Sequence, residues 1–322
     1  MRLLLPLLLA ACESGTITIG DADSAVPDAT DAPVDTDAPD TVPDDTEPPA
    51  STGDDTDAPP AALGDLAEGG PSEVDVTDGR YSASTCTLEY RKFTPRQPAS
   101  SDVVVILSHG FMRDRDQMRG WAKHVASWGV TVYTPNLCHA TFVDADHAKN
   151  GEELAAFAND ALRGQRVLYA GHSAGALASL LAITHDADAL GVLTLDLVDT
   201  DDLGLQAAAT VRQPVRALVG DPSWACNSDG NGVPVVQRAP DHLGFRITDA
   251  VHCDFESPTD NGCTTVCSWQ FPGPQFTDRQ QARVIQAMIA GFALGVGGVD
   301  PRALDYWSPG RAAWDDRVRD NP

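Results

Sequence analysis

Positive charge is scarce in this chain of 322 residues. Lysine and arginine together number 22 against 47 aspartates and glutamates, which gives a net charge of −25 at pH 7. The imbalance is local, because the segment from Glu13 to Arg80 contains 19 acidic residues and one basic residue. Proteins that bind nucleic acid need a concentrated basic surface, which this composition does not supply. Nucleic acid is therefore not an expected partner, and the acidity belongs to an N-terminal tail.

Large apolar residues are nearly absent between Glu13 and about Gly70, where Asp, Pro, Thr and Ala dominate. Such a segment buries too little apolar surface to offset the entropy lost on ordering, and its like charges repel one another. We therefore predict a disordered, extended tether over residues 12–75. One folded domain follows over residues 76–322, a length that suits a single large α/β domain.

The apolar run at the N-terminus is short. Leu3–Ala11 follows Met1-Arg2 and is too short to span a bilayer as a helix, but it has the form of an export signal. Its end, Leu9-Ala10-Ala11-Cys12, resembles the lipobox of bacterial lipoproteins. That resemblance implies a signal peptide over residues 1–11 and acyl chains such as palmitate on Cys12. The protein would then be lipid-anchored in the bacterial cell envelope, at the outer membrane or cell surface. An ordinary export signal with an incidental cysteine is the alternative.

Seven cysteines are present, and six remain if Cys12 is lipidated. An even number in an exported protein predicts three disulfides, although the sequence does not choose among the fifteen possible pairings. Zinc is the competing interpretation, but Cys263-x3-Cys267 lacks a second pair that would complete a four-ligand site. We therefore expect no metal. The six cysteines are Cys86, Cys138, Cys226, Cys253, Cys263 and Cys267.

Strands and helices alternate along the remainder of the chain. Val103–Leu107, Arg166–Ala170, Leu190–Leu195 and Val215–Val219 are largely apolar, as strands buried on both faces are. Segments with helical spacing separate them. The pattern predicts an α/β fold with a mostly parallel sheet covered by helices on both faces. In such sheets, ligands bind at the carboxyl ends of the strands.

The most informative pattern is Gly171-His172-Ser173-Ala174-Gly175, which follows a predicted strand and precedes a helix over Ala174–Ala182. In this strand–turn–helix context the turn demands very small residues two before and two after the serine, and its hydroxyl is held clear of the backbone. The N–H of Ala174 lies at a helix N-terminus, where it can stabilise a developing oxyanion. A chance match in a Gly/Ala-rich chain is the alternative, which the context disfavours.

This pattern, together with Ser108-His109-Gly110-Phe111 and a late histidine, resembles the α/β-hydrolase superfamily over roughly Thr87–Leu294. The nearest branch contains chlorophyllases, platelet-activating-factor acetylhydrolases and cutinase-like enzymes. The resemblance implies an α/β-hydrolase fold and a serine esterase that needs no cofactor. It also implies an oxyanion hole made by the backbone N–H groups of Phe111 and Ala174, and the chain order serine, acid, histidine.

The resemblance leaves the acid open between two aspartates. His252, after the last predicted strand, is the expected base, since His185 ends a helix and His242 lies in a Pro/Asp-rich loop. Asp196, 23 residues after the serine, is favoured as the acid because the branch carries it at that strand end. Asp221, one strand later, is the alternative. The aspartate that does not serve is expected to cap a loop.

The sequence therefore predicts an exported, membrane-anchored serine hydrolase that cleaves small-molecule or polymeric carboxylic esters through an acyl-enzyme on Ser173. A non-catalytic cell-surface binding module on the same fold is the alternative outside enzymes. A thioesterase or peptidase is the alternative within them, because the fold does not choose the substrate. The region after His252 has no obvious apolar lid, which favours an open site.

Overall fold

The structure is a computed structural model that describes residues 65–267, 279–308 and 318–320. The predicted signal peptide, Cys12 and the predicted tether as far as residue 64 lie outside the described residues. Within the described ranges, no helix has both the length and the apolar character needed to cross a membrane.

The described residues form a nine-stranded sheet in the order β1-β2-β4-β3-β7-β8-β9-β10-β11. Its strands are β1 (Val74–Ser82), β2 (Thr87–Pro95), β3 (Val103–Ser108), β4 (Thr131–Pro135), β7 (Arg166–His172), β8 (Gly191–Leu195), β9 (Val215–Val219), β10 (His242–Ile247) and β11 (Val318–Asp320). The pairs β1–β2, β2–β4 and β10–β11 are antiparallel, and the other neighbours are parallel. An α/β fold with a large, mostly parallel sheet is thus confirmed. A separate small hairpin joins β5 (Ala140–Thr141) to β6 (Asp144–Ala145).

Helices cover both faces of the sheet. They are α1 (Arg119–Ser127), α2 (His147–Ala161), α3 (Ala174–Ile183), α4 (Leu203–Ala208), α5 (Gly232–Arg238), α6 (Asn261–Cys267) and α7 (Arg279–Gly291). Short 3-10 turns occupy Arg115–Met118, His252–Phe255 and Pro301–Trp307, and a π-helical turn, Phe292–Val296, extends α7.

Successive residues of β3 contribute to two different cores. Val103, Val105 and Leu107 pack with residues of α1 and α7, whereas Val104 and Ile106 pack with residues of α2 and α3. Neighbouring side chains of a strand point to opposite faces, and helices bury both faces here. This double burial explains why the strand is apolar throughout until it reaches the carboxyl edge of the sheet.

The packed part of the chain begins before the predicted boundary at residue 76. Leu66 is fully buried in one of the cores, and the side chain of His124 donates from Nε2 to the Leu66 carbonyl over 2.8 Å. Strand β1 begins at Val74. A single leucine at the end of a polar segment has no periodic pattern around it, so no feature of the sequence separates it from the tether.

Candidate active site

Ser173 lies between the last residue of β7 and the first residue of α3. Its φ of 56° and ψ of −123° place it in a backbone region that residues other than glycine rarely adopt. A Cβ on Gly171 would collide with the carbonyl of Gly175, and a Cβ on Gly175 would collide with the carbonyl of His109. Both positions therefore require glycine. The second contact also packs the serine turn against the loop after β3.

Two backbone N–H groups near Ser173 have no acceptor among the residues that the structure describes. Gly110 lies so near the serine that a Cβ on it would be 3.2 Å from the serine Cβ. In the part of the chain that the structure describes, neither Phe111 N–H nor Ala174 N–H donates a hydrogen bond to protein. The first N–H groups of a helix have no intrahelical acceptor, so that of Ala174 is free by construction. The pair can stabilise negative charge that develops on a bound carbonyl oxygen.

The loop that carries Phe111 is fixed by His109. The N–H of Leu137 donates to His109 Nε2 over 2.9 Å, so the ring proton is on Nδ1, which donates to the Gly110 carbonyl over 2.8 Å. Burial lowers the pKa of His109 to about 4. The imidazole is therefore neutral near pH 7 and acts as a backbone brace for the loop.

His252 opens the 3-10 turn after β10 and is bound to Asp196. Its Nδ1–H donates to Asp196 Oδ2 over 2.6 Å, and both side chains are buried. Because the proton is on Nδ1, the lone pair of the ring is on Nε2, where a base needs it. His172 donates from Nε2 to the His252 carbonyl over 3.0 Å, and the two rings lie 4.4 Å apart. His252 and Ser173 line the same cavity.

Three donors converge on the carboxylate of Asp196. Gly220 N–H donates to Oδ1 over 2.9 Å, while Asn227 Nδ2 donates to Oδ2 over 3.1 Å alongside His252. The backbone of Asp196 has a φ of 45°, which turns its side chain out of the extended strand β8. These contacts hold the carboxylate in one orientation towards the imidazole.

The other two aspartates at strand ends have different contacts. Asp221 Oδ2 accepts from Asp249 N–H over 3.1 Å, and partial burial raises the pKa of Asp221. Asp199 accepts from the N–H groups of Gly204 and Leu205 over 2.7 and 3.2 Å, and so caps α4. Neither carboxylate is among the described hydrogen-bond partners of His252. Asp196 therefore has the contact predicted for the acid, and Asp221 has that of a loop cap.

The remaining histidines after the serine lie at the opposite edge of the sheet. His185, at the end of α3, and His242, at the first position of β10, are both exposed. The sequence interpretation placed His242 in a loop. The structure instead pairs His242 to Arg246 with β9, so His242 is the first residue of β10.

The structure joins Cys86 to Cys138, Cys226 to Cys267 and Cys253 to Cys263. The last two disulfides attach both ends of α6 to the site, because Cys253 follows His252 and Cys226 precedes Asn227. In two groups of three described residues, the possible ligand atoms lie close enough together to hold a metal ion. The groups are Cys253–Cys263–Cys267 and Cys86–Cys138–Glu153. All of these sulfurs are in disulfides, so the zinc interpretation of Cys263-x3-Cys267 finds no free thiolate here.

The cavity above Ser173 has a volume of about 510 Å³. Phe111, Met112 and Phe142 line one part of it, and Val266 of α6 lines another. The Phe111 and Phe142 rings meet edge to face at 5.3 Å, and Phe142 is 81% exposed at the tip of the β5–β6 hairpin. The wall near the serine is thus largely apolar and open to solvent.

Sequence reasoning missed several residues of this site. Asn227, Arg113, Glu256 and Phe142 belong to no motif of the sequence and are not among the predicted site residues. Their only signals were positional: Asn227 follows a cysteine, and Arg113 lies two residues after the predicted oxyanion donor. Trp224 is 53% exposed, and its neighbour Ala225 lines the cavity.

No protein-family model matches the chain, and a search of curated proteins finds no match. The function must therefore be inferred from the geometry of the site.

Proposed function

We propose that this protein is a serine hydrolase of the α/β-hydrolase superfamily that cleaves carboxylic esters through an acyl-enzyme on Ser173. The observation that carries the proposal is one cavity lined by a strained serine, by a histidine bound to a buried aspartate and by Phe111, with Ala174 directly after the serine. Among the described residues, the backbone N–H groups of Phe111 and Ala174 donate to no protein acceptor. The strained serine, the buried histidine–aspartate pair and the unpaired N–H groups each cost folding free energy, and a binding surface would not need them. Together they match the requirements of acyl transfer.

In the proposed reaction, His252 Nε2 takes the proton of the Ser173 hydroxyl as the oxygen attacks the ester carbonyl. Asp196 keeps the proton on Nδ1 and stabilises the imidazolium that forms. The N–H groups of Phe111 and Ala174 bind the oxyanion, and each is worth about 3 kcal/mol of transition-state stabilisation. The imidazolium then protonates the leaving alcohol, and water releases the acyl group by the same steps in reverse.

The lining of the cavity supports an uncharged ester as the substrate. Its apolar residues suit hydrocarbon or aromatic groups on either side of the ester bond. The charge of Arg113, the cation in this wall, is balanced by Glu256 and Asp260. An ester with a formal charge next to its carbonyl would meet no unpaired charge of opposite sign in the described wall.

The location of the protein is part of the same proposal. Export and lipid anchoring through Cys12 rest on the N-terminal sequence pattern, and the acidic segment would hold the hydrolase away from the membrane. Growth with radiolabelled palmitate tests this directly, because label should enter the native protein and be absent from Cys12→Ala.

A fluorophosphonate probe and a panel of p-nitrophenyl esters test the hydrolase proposal. The native protein should be labelled on Ser173, and Ser173→Ala should lose labelling and about 10⁵-fold in kcat/KM. Ser179→Ala is the matched control, since Ser179 is a buried serine of the same helix whose hydroxyl donates to the Ala170 carbonyl. Equal turnover by Ser173→Ala would contradict the proposal. Thioester and peptide substrates in the same panel decide between the enzyme classes.

A further inference from the structure

The loop that carries the oxyanion donor and the loop that carries the base are joined by one ion pair. Arg113 lies two residues after Phe111, and Glu256 lies four residues after His252. Arg113 Nε and Nη2 donate to the two oxygens of Glu256, each over 2.7 Å. This two-point geometry fixes orientation as well as distance, because the guanidinium plane and the carboxylate plane must align. The pair spans 143 residues of sequence.

The ion pair is buried in the wall of the cavity. The side chain of Glu256 is 0% exposed and that of Arg113 is 15% exposed, and Arg113 Nη2 also lies 3.0 Å from Asp260 Oδ2. Burial raises the pKa of Glu256, and the hydrogen bonds from Arg113 oppose that rise. Desolvating two charges offsets much of their attraction, so apolar residues would stabilise the fold equally well. The pair therefore calls for an explanation other than stability.

Glu256 also faces the residue that binds the backbone of His252. Glu256 Oε1 lies 3.8 Å from Nδ1 of His172, a buried nitrogen with no hydrogen-bond partner among the described residues. The other nitrogen of His172 donates to the His252 carbonyl. Burial and the neighbouring His252 lower the pKa of His172 well below its usual range, so this ring is neutral and its proton is on Nε2. Glu256 thus packs behind the ring that holds His252.

We propose that Glu256, acting through Arg113, is a positioning residue that holds the oxyanion donor Phe111 and the base His252 in register. The inference rests on the proposed hydrolase function and adds a residue to it. Neither Arg113 nor Glu256 exchanges a proton with the substrate. Their effect is to keep two loops from separate parts of the sequence at one fixed separation.

Other contacts keep the loop that carries His252 folded when the ion pair is altered. Trp121 Nε1 donates to the Phe255 carbonyl over 2.8 Å, and Ser257 N–H donates to the Gln117 carbonyl over 2.7 Å. Gly120 N–H donates to the Ser257 carbonyl over 2.6 Å. These bonds attach the base of the His252 loop to α1 and its preceding turn. Conservative variants of the pair should therefore fold, and their effect should appear in the geometry and electrostatics of the site.

The charges around His252 predict a pH effect that a purely structural role would not produce. Asp196 faces the imidazole from the end of β8, and neutral His172 faces it from the end of β7. Glu256 of its own loop and Arg113 of the β3 loop contribute opposite charges. Replacing Glu256 by glutamine leaves the guanidinium charge less balanced and disfavours the imidazolium form of His252. The acid limb of the pH profile of kcat/KM should then move to lower pH.

Two variants separate orientation from charge. Glu256→Gln removes the charge, whereas Arg113→Lys keeps the charge but cannot make the two-point contact. With a neutral p-nitrophenyl ester, we expect kcat to fall 10- to 100-fold in both, on the order of one misplaced oxyanion donor, with little change in KM. Only Glu256→Gln should shift the acid limb. Asp102→Asn is the matched control, because it breaks an exposed ion pair of 2.8 Å with Arg166 at the opposite edge of the sheet.

Unchanged kcat in folded Glu256→Gln would overturn the inference. A loss of kcat that only matches a loss of folded protein by circular dichroism would overturn it too, as would an unshifted acid limb. Native protein without esterase activity is a different result, because it contradicts the proposed function. In that case, an NMR titration of the His252 ring C–H in native protein and Glu256→Gln still measures the charge effect, and an identical midpoint in both would refute it.

Discussion

At the carboxyl edge of the parallel strands, Ser173 and Asp196 have positive φ values of 56° and 45°, and the histidines 109, 172 and 252 are buried. At the amino edge, His185 and His242 are exposed. Arg166 and Arg216 form ion pairs there with Asp102 and Asp241, whose side chains are about half exposed to solvent. The two edges of the same sheet thus treat the same residue types in opposite ways. The histidines at the carboxyl edge are buried beside strained backbone, whereas those at the amino edge are exposed to solvent.

The difference indicates which edge of the sheet contains features that lower the stability of the fold. A residue in a sparsely populated backbone region costs about 1–3 kcal/mol and persists only when its surroundings fix it. Exposed ion pairs such as Arg166–Asp102 contribute about 0–1 kcal/mol and constrain little. The strained backbone of Ser173 and Asp196 and the buried imidazoles of His109 and His172 lie at the edge where α/β sheets bind ligands. This asymmetry supports the assignment of the site independently of the serine pattern.

The largest expected effect separates the two candidate acids. Asp196→Asn keeps the size of the side chain but presents an amide to the imidazole, so the proton is no longer held on Nδ1. We expect kcat to fall by about 10⁴-fold. Asp221→Asn should leave kcat within about threefold of the native value, because the Asp221 carboxylate accepts from the Asp249 backbone and makes no contact with His252 among the described residues. Steady-state kinetics on a short p-nitrophenyl ester measure both.

Retained activity in Asp196→Asn together with loss in Asp221→Asn would reverse the assignment of the acid. It would also require the loop after β9 to reorganise, because Gly220 N–H now donates to Asp196. Loss of activity in both variants would show that the two carboxylates act together. Either result would leave the difference between the two edges unchanged, since both aspartates lie at the carboxyl edge.

A smaller effect concerns the buried histidines of that edge. The folded pKa of His109 is about 4, whereas a histidine in an unfolded chain has a pKa near 6.5. Between these values the unfolded state binds more protons than the folded state. The free energy of unfolding therefore falls as pH falls through this window, by about 3 kcal/mol for this one group. His172, whose pKa is also lowered, acts with the same sign.

Urea unfolding monitored by circular dichroism from pH 7 to pH 4 checks this prediction. His109→Gln removes the titrating group, so its free energy of unfolding should fall less steeply across the window than that of the native protein. His185→Gln is the matched variant at the amino edge and should follow the native slope. Equal slopes for the native protein and His109→Gln would mean that His109 takes up its proton in the folded state without cost.

Much of the fold could be predicted because burial on both faces leaves a mark in the sequence. Val103–Leu107 is apolar without interruption and Val215–Val219 is apolar except for Arg216, and the strands have those bounds to within a residue. Strand β1 and the β5–β6 hairpin, which are not buried on both faces, have no such apolar pattern. Strand β1 alternates weakly, since most of its side chains are exposed. The β5–β6 hairpin is only six residues long and places Phe142 and Val143 in solvent.

The candidate site divides in the same way. Ser173 and Ala174 follow from local rules, because a turn or a helix N-terminus is set by neighbouring residues, whereas Phe111 is implied by the family resemblance. The choice between Asp196 and Asp221 depends on which carboxylate the folded chain places beside His252, since both aspartates follow the end of a buried strand. Asn227 and Glu256 act through contacts 31 and 143 residues away in sequence. No local pattern specifies such contacts, so only the packed structure could reveal them.

The smallest expected effect tests whether the carboxyl edge is uniform. Asn227 and Asn231 both brace an aspartate loop: Asn227 donates to Asp196 Oδ2, and Asn231 donates to the Asp199 carbonyl over 2.9 Å. Asn227→Ala should lower kcat/KM about tenfold, or about 1.4 kcal/mol, because the carboxylate behind His252 loses one of three donors. Asn231→Ala should destabilise the fold by a similar amount and leave kcat unchanged, since its aspartate caps α4. Equal kinetic losses at saturating substrate in the two variants would mean that the loops move as one body, and that Asp196 has no privileged support.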